Sequence, residues 1–507
     1  MKKLKIFIIS FVLVLGMKLL QAEVLLPKVF SDNMILQREM VIKIWGKAKS
    51  NSIVKIEFAN QKVDSKTDAK GFWNVYLKPI SASKNPQKMF IYEDGILQKT
   101  ISNILIGEVW VSGGQSNMAM PVRACYDWED VKARADYPNL RYFTPPPADD
   151  RILDEEQFDS HTNSHWIIAM HNDAGSADAI AFYFAEKLMK ELDIPVGIVQ
   201  TSRGASQMST WVAKEEIEKV KSFSTDLKNY KEREIAYDYE VELERWEGMA
   251  KAAERDGTKV PPKPRKDGQT IPSQVISNQW NVKVAPVAGY TARGFLWYQG
   301  EDDSHSYRVE TFEEAFTCLI NSWRERWGNQ KMPFYFIDIG SREVKHNWAP
   351  ARSKQNDVWR NVPNTAMACS IDCGDKLDPH PRNKAPLGLR LVAIALREVY
   401  NKDIKTVYSP RFAKAEIQGN QAKAIFDMDY STLIVKDNEL KGFEIKVDGE
   451  WKLPESMKLS GDDSVIVFAK KDEVIEGVRY AWKSWVGDDV CLYNEVGYPA
   501  FCFQYEE

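Results

Sequence analysis

The chain turns sharply at Gly113-Gly114-Gln115-Ser116-Asn117-Met118, directly after the apolar run 109–111. A short apolar run bounded by turn residues is typical of a buried strand. Two glycines let the backbone change direction without a Cβ clash. A serine at such a turn is presented outward, as a nucleophile must be. For this motif alone, a surface turn with an incidental serine is the alternative interpretation.

A histidine far along the chain is the candidate base for this serine, which needs one within hydrogen-bond reach. His380 lies in the segment Asp378-Pro379-His380-Pro381-Arg382-Asn383-Lys384, and its two flanking prolines restrict the loop. The alternative is a structural histidine that precedes the helix predicted after Lys384. The group that orients the imidazole stays open between Asp378, which we favour, Asp375 and a backbone carbonyl. Either aspartate could instead be a turn residue.

Composition is that of an ordinary folded protein with an export signal. The 507 residues are 44% hydrophobic and 11% aromatic. Residues 1–22 combine early lysines with an apolar run and end in Leu20-Gln21-Ala22, which predicts a secretory signal peptide too short to span a bilayer easily. A membrane anchor is the alternative. Without the four lysines of this segment the net charge is −8, which argues against a nucleic-acid partner. We expect a periplasmic or extracellular protein without stable membrane insertion.

The six cysteines do not form a recognisable framework. Export permits disulfides, and Cys491 and Cys502 flank a turn and could bridge, although sequence does not reveal pairing. Cys369 and Cys373 lack the spacing of a zinc knuckle. The sequence therefore predicts no metal and no cofactor.

The periodicity of apolar residues divides the chain into three regions after the signal peptide of residues 1–22. Short alternating strands in 23–105 predict a β-sandwich domain. Strands alternating with helices in 106–405 predict an α/β domain with a mostly parallel sheet and helices on both faces. Within it, a charged helical insertion at about 214–275 is expected to be solvated or to cover one side of the cleft. Short alternating strands return in 406–507 as a second β region.

Four candidate residues follow predicted strands or lie in loops, where the active sites of such sheets are found. They are Ser116, Gly204, Gln299 and His380. An acyl transfer also needs donors for the oxyanion. The Ser116 amide, the Gly204 amide and the Gln299 side-chain N–H are the candidates. Together these residues predict a serine esterase.

Three motifs resemble the signature blocks of the sialate O-acetylesterases, a family of the SGNH (GDSL-like) hydrolase superfamily. They are Gly-Gln-Ser-Asn-Met at 114–118, Trp-Tyr-Gln-Gly-Glu at 297–301 and His-Pro-Arg-Asn-Lys at 380–384, and the resemblance runs along nearly the whole mature chain. It implies Ser116 as nucleophile and His380 as base, and it matches the other two candidates to oxyanion-hole positions. It further implies a three-layer α/β domain beside β-sandwich material.

The chain departs from this family beside the expected cleft. Family members usually carry Trp-Gly-Gly where Arg203-Gly204-Ala205 stand, and Ser-Asn where Asp302-Asp303 stand. Arg203 could bind a sialic acid carboxylate through its planar fork, or it could pair with Asp302 or Asp303. Arg203, Glu301 and Asn117 are the predicted substrate-binding residues.

The leading hypothesis is an exported carbohydrate esterase that removes O-acetyl groups from sialic acids or a related glycan, with an acetylated carbohydrate as its partner. The alternative within the class is an esterase for acetylated xylan or another polysaccharide. The alternative outside the class is a non-catalytic glycan-binding protein whose β regions make the contacts. The retained Ser116 and His380 disfavour that last hypothesis. The sequence makes no prediction of the oligomeric state.

Overall fold

The computed structural model describes residues 24–144, 153, 155–159, 163–255, 260, 263–264, 266 and 272–507. The predicted signal peptide, residues 1–22, lies outside the described residues, as does part of the charged insertion. Over the described ranges, no helix has both the length and the apolar character needed to span a membrane.

The N-terminal region is built from strands whose inward side chains share one core. Alternating burial, as in residues 42–47 and 53–58, shows one face of each strand turned inward. Strands β2 and β5 form an antiparallel ribbon, while β1, β3, β4 and β6 belong to a sheet completed by β7. The bounds are β1 (Ile35–Gln37), β2 (Ile42–Lys47), β3 (Ile53–Phe58), β4 (Gln61–Lys66), β5 (Phe72–Leu77), β6 (Ser83–Glu93) and β7 (Ile96–Gly114).

Strand β7 crosses the predicted domain boundary at 105/106. Residues 96–106 of β7 pair with β6, and residues 105–107 pair with β1. Residues 108–114 pair with strands of the central sheet. The two regions are therefore joined through one continuous strand that ends next to Ser116.

The central sheet has the order β13-β12-β11-β7-β10-β8-β9. Every neighbouring pair is parallel except β8 and β9, which are antiparallel. The prediction of a mostly parallel sheet is confirmed. The elements of this region, in chain order, are α1 (Ser116–Ala119), α2 (Trp128–Arg134), β8 (Asp136–Thr144), β9 (His165–Met170), α3 (His171–Ala174), α4 (Ala179–Leu192), β10 (Val196–Gln200), α5 (Lys221–Ala236), α6 (Tyr239–Arg255), β11 (Gly294–Tyr298), α7 (Tyr307–Glu310), α8 (Phe312–Arg326), β12 (Phe334–Ile337), α9 (Ala349–Asn361), β13 (Thr365–Ala368) and α10 (Ala385–Glu398).

Helices cover both faces of this sheet. Consecutive strand residues point to opposite sides, and the apolar side chains on each side pack against helices. On one face Phe336 of β12 contacts Phe316 of α8, with ring centroids 4.9 Å apart. On the other face Trp110 of β7 contacts Phe184 of α4 at 5.0 Å, and α10 packs against α4. The strands read as continuous apolar runs because both faces are buried.

The C-terminal region consists of antiparallel sheets. Two have four strands each, in the orders β14-β15-β20-β19 and β18-β17-β21-β23, and β16 pairs with β22. The strands are β14 (Arg411–Gln418), β15 (Gln421–Asp427), β16 (Leu433–Val435), β17 (Phe443–Val447), β18 (Glu450–Lys452), β19 (Ser456–Leu459), β20 (Ser464–Phe468), β21 (Gly477–Tyr480), β22 (Leu492–Asn494) and β23 (Phe503–Glu506).

All six cysteines are free thiols. The suggested bridge between Cys491 and Cys502 is therefore absent. Cys491 instead accepts a hydrogen bond from the Lys441 amide and donates one to the Lys441 carbonyl, so its sulfur is occupied by polar contacts away from Cys502.

Candidate active site

Ser116 stands at the end of β7, where the chain passes very close to β11. Gly114 has φ +132°, and a Cβ there would lie 2.2 Å from the Tyr298 carbonyl oxygen. The next amide, of Gln115, donates to that same carbonyl at 2.9 Å. Only glycine fits this position, because both the backbone angle and the close approach exclude a side chain. The turn presents Ser116 as a partly exposed residue, as predicted for the motif.

Gly204 lies directly against Ser116. A Cβ on Gly204 would be 3.4 Å from the Ser116 Cβ. The loop is held there because the Thr201 and Arg203 amides donate to carbonyls of Ser112 and Gly114, both at 2.8 Å, which prolongs the pairing of β10 with β7. In the described part of the chain, no backbone carbonyl accepts the Ser116 or the Gly204 amide. Both amides are thus available to a negatively charged oxygen, and their role in an oxyanion hole stays a prediction.

Gln299 is fully buried beneath this loop. Its Nε2 donates to the Ser206 carbonyl at 3.0 Å and to the Asp303 carboxylate at 2.5 Å. Its Oε1 is buried and meets no hydrogen-bond donor among the described residues. The side-chain N–H groups therefore hold the loop that carries Gly204, and their predicted donation to an oxyanion remains untested.

Asn117 joins the three sequence motifs. Its Nδ2 donates to the Glu301 carboxylate at 2.8 Å and to the Pro379 carbonyl at 3.1 Å. The Lys384 ammonium donates to its Oδ1 at 2.7 Å. The residue after Ser116 thus fixes the loop that carries His380 and the end of the WYQGE segment. Asn117 is a positioning residue in this structure, and its predicted contact with substrate stays a prediction, as does that of Glu301.

The His380 loop is shaped by its two aspartates. Asp378 Oδ1 accepts the His380 backbone amide at 2.8 Å. Asp375 Oδ1 accepts the amides of Leu377 and Asp378 at 2.9 and 2.8 Å. Both carboxylates therefore make turns, and neither of these bonds reaches the imidazole. The orienting group stays open as before.

The imidazole of His380 is exposed enough to meet a substrate. Burial, the Lys384 ammonium and the Arg342 guanidinium lower the pKa of His380, against the opposing charge of Asp378. No hydrogen bond joins this ring to the Ser116 hydroxyl within the described part of the chain. Such bonds are often long in free enzymes and tighten when substrate binds. The neutral ring is the form that accepts a proton.

Comparison with known proteins identifies the class of enzyme that this chain resembles. Residues 267–396 match the family model described as "Carbohydrate esterase, sialic acid-specific acetylesterase". The sialate O-acetylesterase of Mus musculus is 25% identical over 501 residues, covering 90% of this chain and 89% of that protein. The chain is a relative of the sialate O-acetylesterases. The human sialate O-acetylesterase is 24% identical over 502 residues, with coverage of 90% and 87%.

A solved structure shares the architecture of this sialate O-acetylesterase relative. The crystal structure of XAC1771, a carbohydrate acetylesterase from Xanthomonas citri, is 25% identical, has a TM-score of 0.78 and covers 95% of this chain and 99% of its own. Together with the family model, these relatives show that the protein is an esterase.

Beneath the site of this esterase, buried carboxylates interact with cations of opposite charge. Burial raises the pKa of Glu301 and lowers that of Lys384 to about 8, and the two groups act on each other through opposite charge. Burial also raises the pKa of Asp303 to about 7, against the nearby Arg308 guanidinium. Burial raises the pKa of Asp302 as well, and the charge of Arg308 lowers it. The charges of this acidic pair are therefore partly balanced by the Arg308 guanidinium.

Two buried groups near the site were missed by sequence reasoning. Lys384 is buried, although a lysine before a helix usually lies on the surface and its motif gives no sign of this burial. Asp178 accepts the Ser202 hydroxyl at 2.6 Å, and burial raises its pKa to about 7. An acidic residue directly before α4 is typical of a helix N-terminus, so its sequence context gives no sign of this second contact.

Proposed function

We propose that this carbohydrate esterase hydrolyses O-acetyl esters of sialic acid or a related glycan through an acyl-enzyme formed on Ser116. The observation that carries the proposal is the position of Asn117. Its amide group donates hydrogen bonds to the Glu301 carboxylate and the Pro379 carbonyl, and it accepts one from the Lys384 ammonium. These contacts bring the serine and histidine loops side by side.

In the proposed first step His380 takes the Ser116 hydroxyl proton while the oxygen attacks the acetyl carbonyl. The amides of Ser116 and Gly204 stabilise the resulting oxyanion. Gln299 would become a third donor by exchanging its bond to Ser206 or Asp303. When the tetrahedral intermediate collapses, the bond to the sugar oxygen breaks and the imidazolium protonates that oxygen.

The second half repeats the chemistry with water. His380 accepts a proton from water as its oxygen attacks the acetyl-serine carbonyl, and collapse returns the proton to Ser116 and releases acetate. We propose Asp378 as the carboxylate that supports the imidazolium, since it is the acidic group whose charge raises the pKa of His380.

The proposal is tested by acetate release from an aryl acetate and from O-acetylated sialic acid. Ser116→Ala and His380→Ala are expected to abolish turnover while circular dichroism shows a folded protein. His165→Ala is the matched control, because His165 is exposed on β9 at the edge of the central sheet. Unchanged turnover in Ser116→Ala would contradict the mechanism. Adding acetylated xylan to the substrate set separates the two carbohydrate classes.

Export is a further part of the proposal. The lysine-rich and apolar segment of residues 1–22 supports cleavage by a signal peptidase after Ala22. N-terminal sequencing of protein recovered outside the cytoplasm is expected to begin at Glu23. Recovery of the uncleaved chain from the cytoplasm alone would contradict export.

A further inference from the structure

The segment after β12 runs along the His380 loop. The Glu343 amide donates to the Lys376 carbonyl at 3.0 Å, and the Arg342 amide donates to the Ser484 carbonyl at 3.1 Å. One residue earlier, the Ser341 carbonyl lies so close to Gly374 that a Cβ there would be 2.1 Å away. Arg342 is therefore held between the loop of the candidate base and the C-terminal region.

The Arg342 side chain has an unused donor. Its Nε is buried and meets no acceptor among the described residues, nor does any described carboxylate lie within ion-pair distance of its guanidinium. A buried N–H without an acceptor costs free energy. Arginine also presents planar paired donors that suit a carboxylate. The position is thus prepared for an anion that the protein itself does not provide.

Other cations around the site are engaged. Lys384 donates to Asn117 at 2.7 Å. Arg382 donates to the Ala124 carbonyl at 2.6 Å and lies over the Tyr126 ring. Arg203, the predicted carboxylate ligand, already takes part in another interaction. Of the two cations whose charge acts on His380, Lys384 and Arg342, Arg342 is the one without such a partner in the described part of the chain.

We propose that Arg342 binds the carboxylate of an O-acetylated sugar acid and so selects anionic over neutral acetylated sugars. The inference rests on the proposed function, since it needs an ester placed between Ser116 and His380. Arg342 acts on specificity and takes no part in bond making. A carboxylate bound there also offsets a positive charge that disfavours the imidazolium of His380, which helps the base to hold its proton during the reaction.

The test compares an O-acetylated sialic acid with its neutral C1 amide, and uses 4-nitrophenyl acetate as a substrate without a sugar. In the wild type, kcat/KM is expected to favour the acid. Arg342→Gln should lower kcat/KM for the acid by about tenfold to a hundredfold, as for loss of a charged hydrogen bond. Its turnover of the amide and the aryl acetate should change by less than about twofold. Lys345→Gln is the matched control, an exposed lysine on the same segment.

A second readout tests the position of the charge. Because Arg342 lowers the pKa of His380, Arg342→Gln should move the acid limb of kcat/KM for the aryl acetate to higher pH. Equal turnover of acid and amide by the wild type would overturn the inference, and so would an equal loss on both in Arg342→Gln. If the wild type cleaves no acetate ester at all, the proposed function itself fails, which is a different result.

Discussion

Replacing Asn117 by alanine removes the link between the serine turn and the histidine loop. The side chain makes three hydrogen bonds, two of them to the charged groups Glu301 and Lys384 and one to the Pro379 carbonyl. Lys384 is only 2% exposed, so water does not readily replace its lost acceptor. The substitution should therefore affect stability and catalysis through separate contacts.

The expected magnitudes follow from those contacts. A buried group left unpaired costs about 1–3 kcal/mol, and more when charged. Two such groups reduce the free energy of unfolding by about 2–5 kcal/mol in total. Freeing the Pro379 carbonyl loosens the loop next to His380, and a misplacement of about 1 Å lowers turnover about a hundredfold.

The assay combines urea unfolding, followed by tryptophan fluorescence, with acetate release at saturating substrate. Asn117→Asp keeps an acceptor for Lys384 but has no N–H for Pro379, so it should lose as much kcat as Asn117→Ala. Asn361→Ala is the control, an exposed asparagine with one bond to Glu313 at 2.7 Å. A kcat within twofold of wild type in Asn117→Ala would refute the reasoning.

Three further outcomes are expected. Since the pKa of His380 is lowered, kcat/KM should stay level as pH falls to about 6.5 and decline only below it, where the ring gains its proton; a decline that begins above pH 7 would contradict this. Asp378→Asn should cost less kcat/KM than His380→Ala, because an amide oxygen still accepts the His380 amide, whereas a larger loss from Asp375→Asn would make Asp375 the orienting group. Ala205→Gly should leave the free energy of unfolding unchanged or raise it by up to about 1 kcal/mol, because Ala205 is exposed with φ +53° and glycine avoids the left-handed penalty at some entropic cost; chemical denaturation that shows a lower value would contradict this.

Helices and strands whose pattern of burial is the same along their whole length were predicted well. The alternation of strands and helices predicted for residues 106–405 is present in α4, β10 and β11, because each is a single amphipathic or apolar run between turn residues. The predicted domain boundary at 105/106 falls within strand β7. Its first eight residues are mostly exposed or half-buried, whereas residues 104–114 are buried throughout, so one strand carries the patterns of two different regions.

The serine turn could be predicted because the backbone itself requires glycine at 114, where a close approach leaves no room for a side chain. The role of Asn117 could not be found in this way, because its partners Glu301 and Pro379 lie 184 and 262 residues further along the chain. Local patterns contain no information about contacts of that range.

The acidic pair Asp302-Asp303 shows how a sequence difference can mislead about charge. By sequence the pair makes the cleft more negative than in the family. In the structure the Arg308 guanidinium lowers the pKa values of both carboxylates against the effect of burial, and it also pairs with Asp226 at 2.8 Å. Burial brings the pKa of Asp303 to about 7, so this group is partly protonated near neutral pH. An acidic pair whose charge is partly neutralised in this way is compatible with the anionic sugar that we propose as substrate.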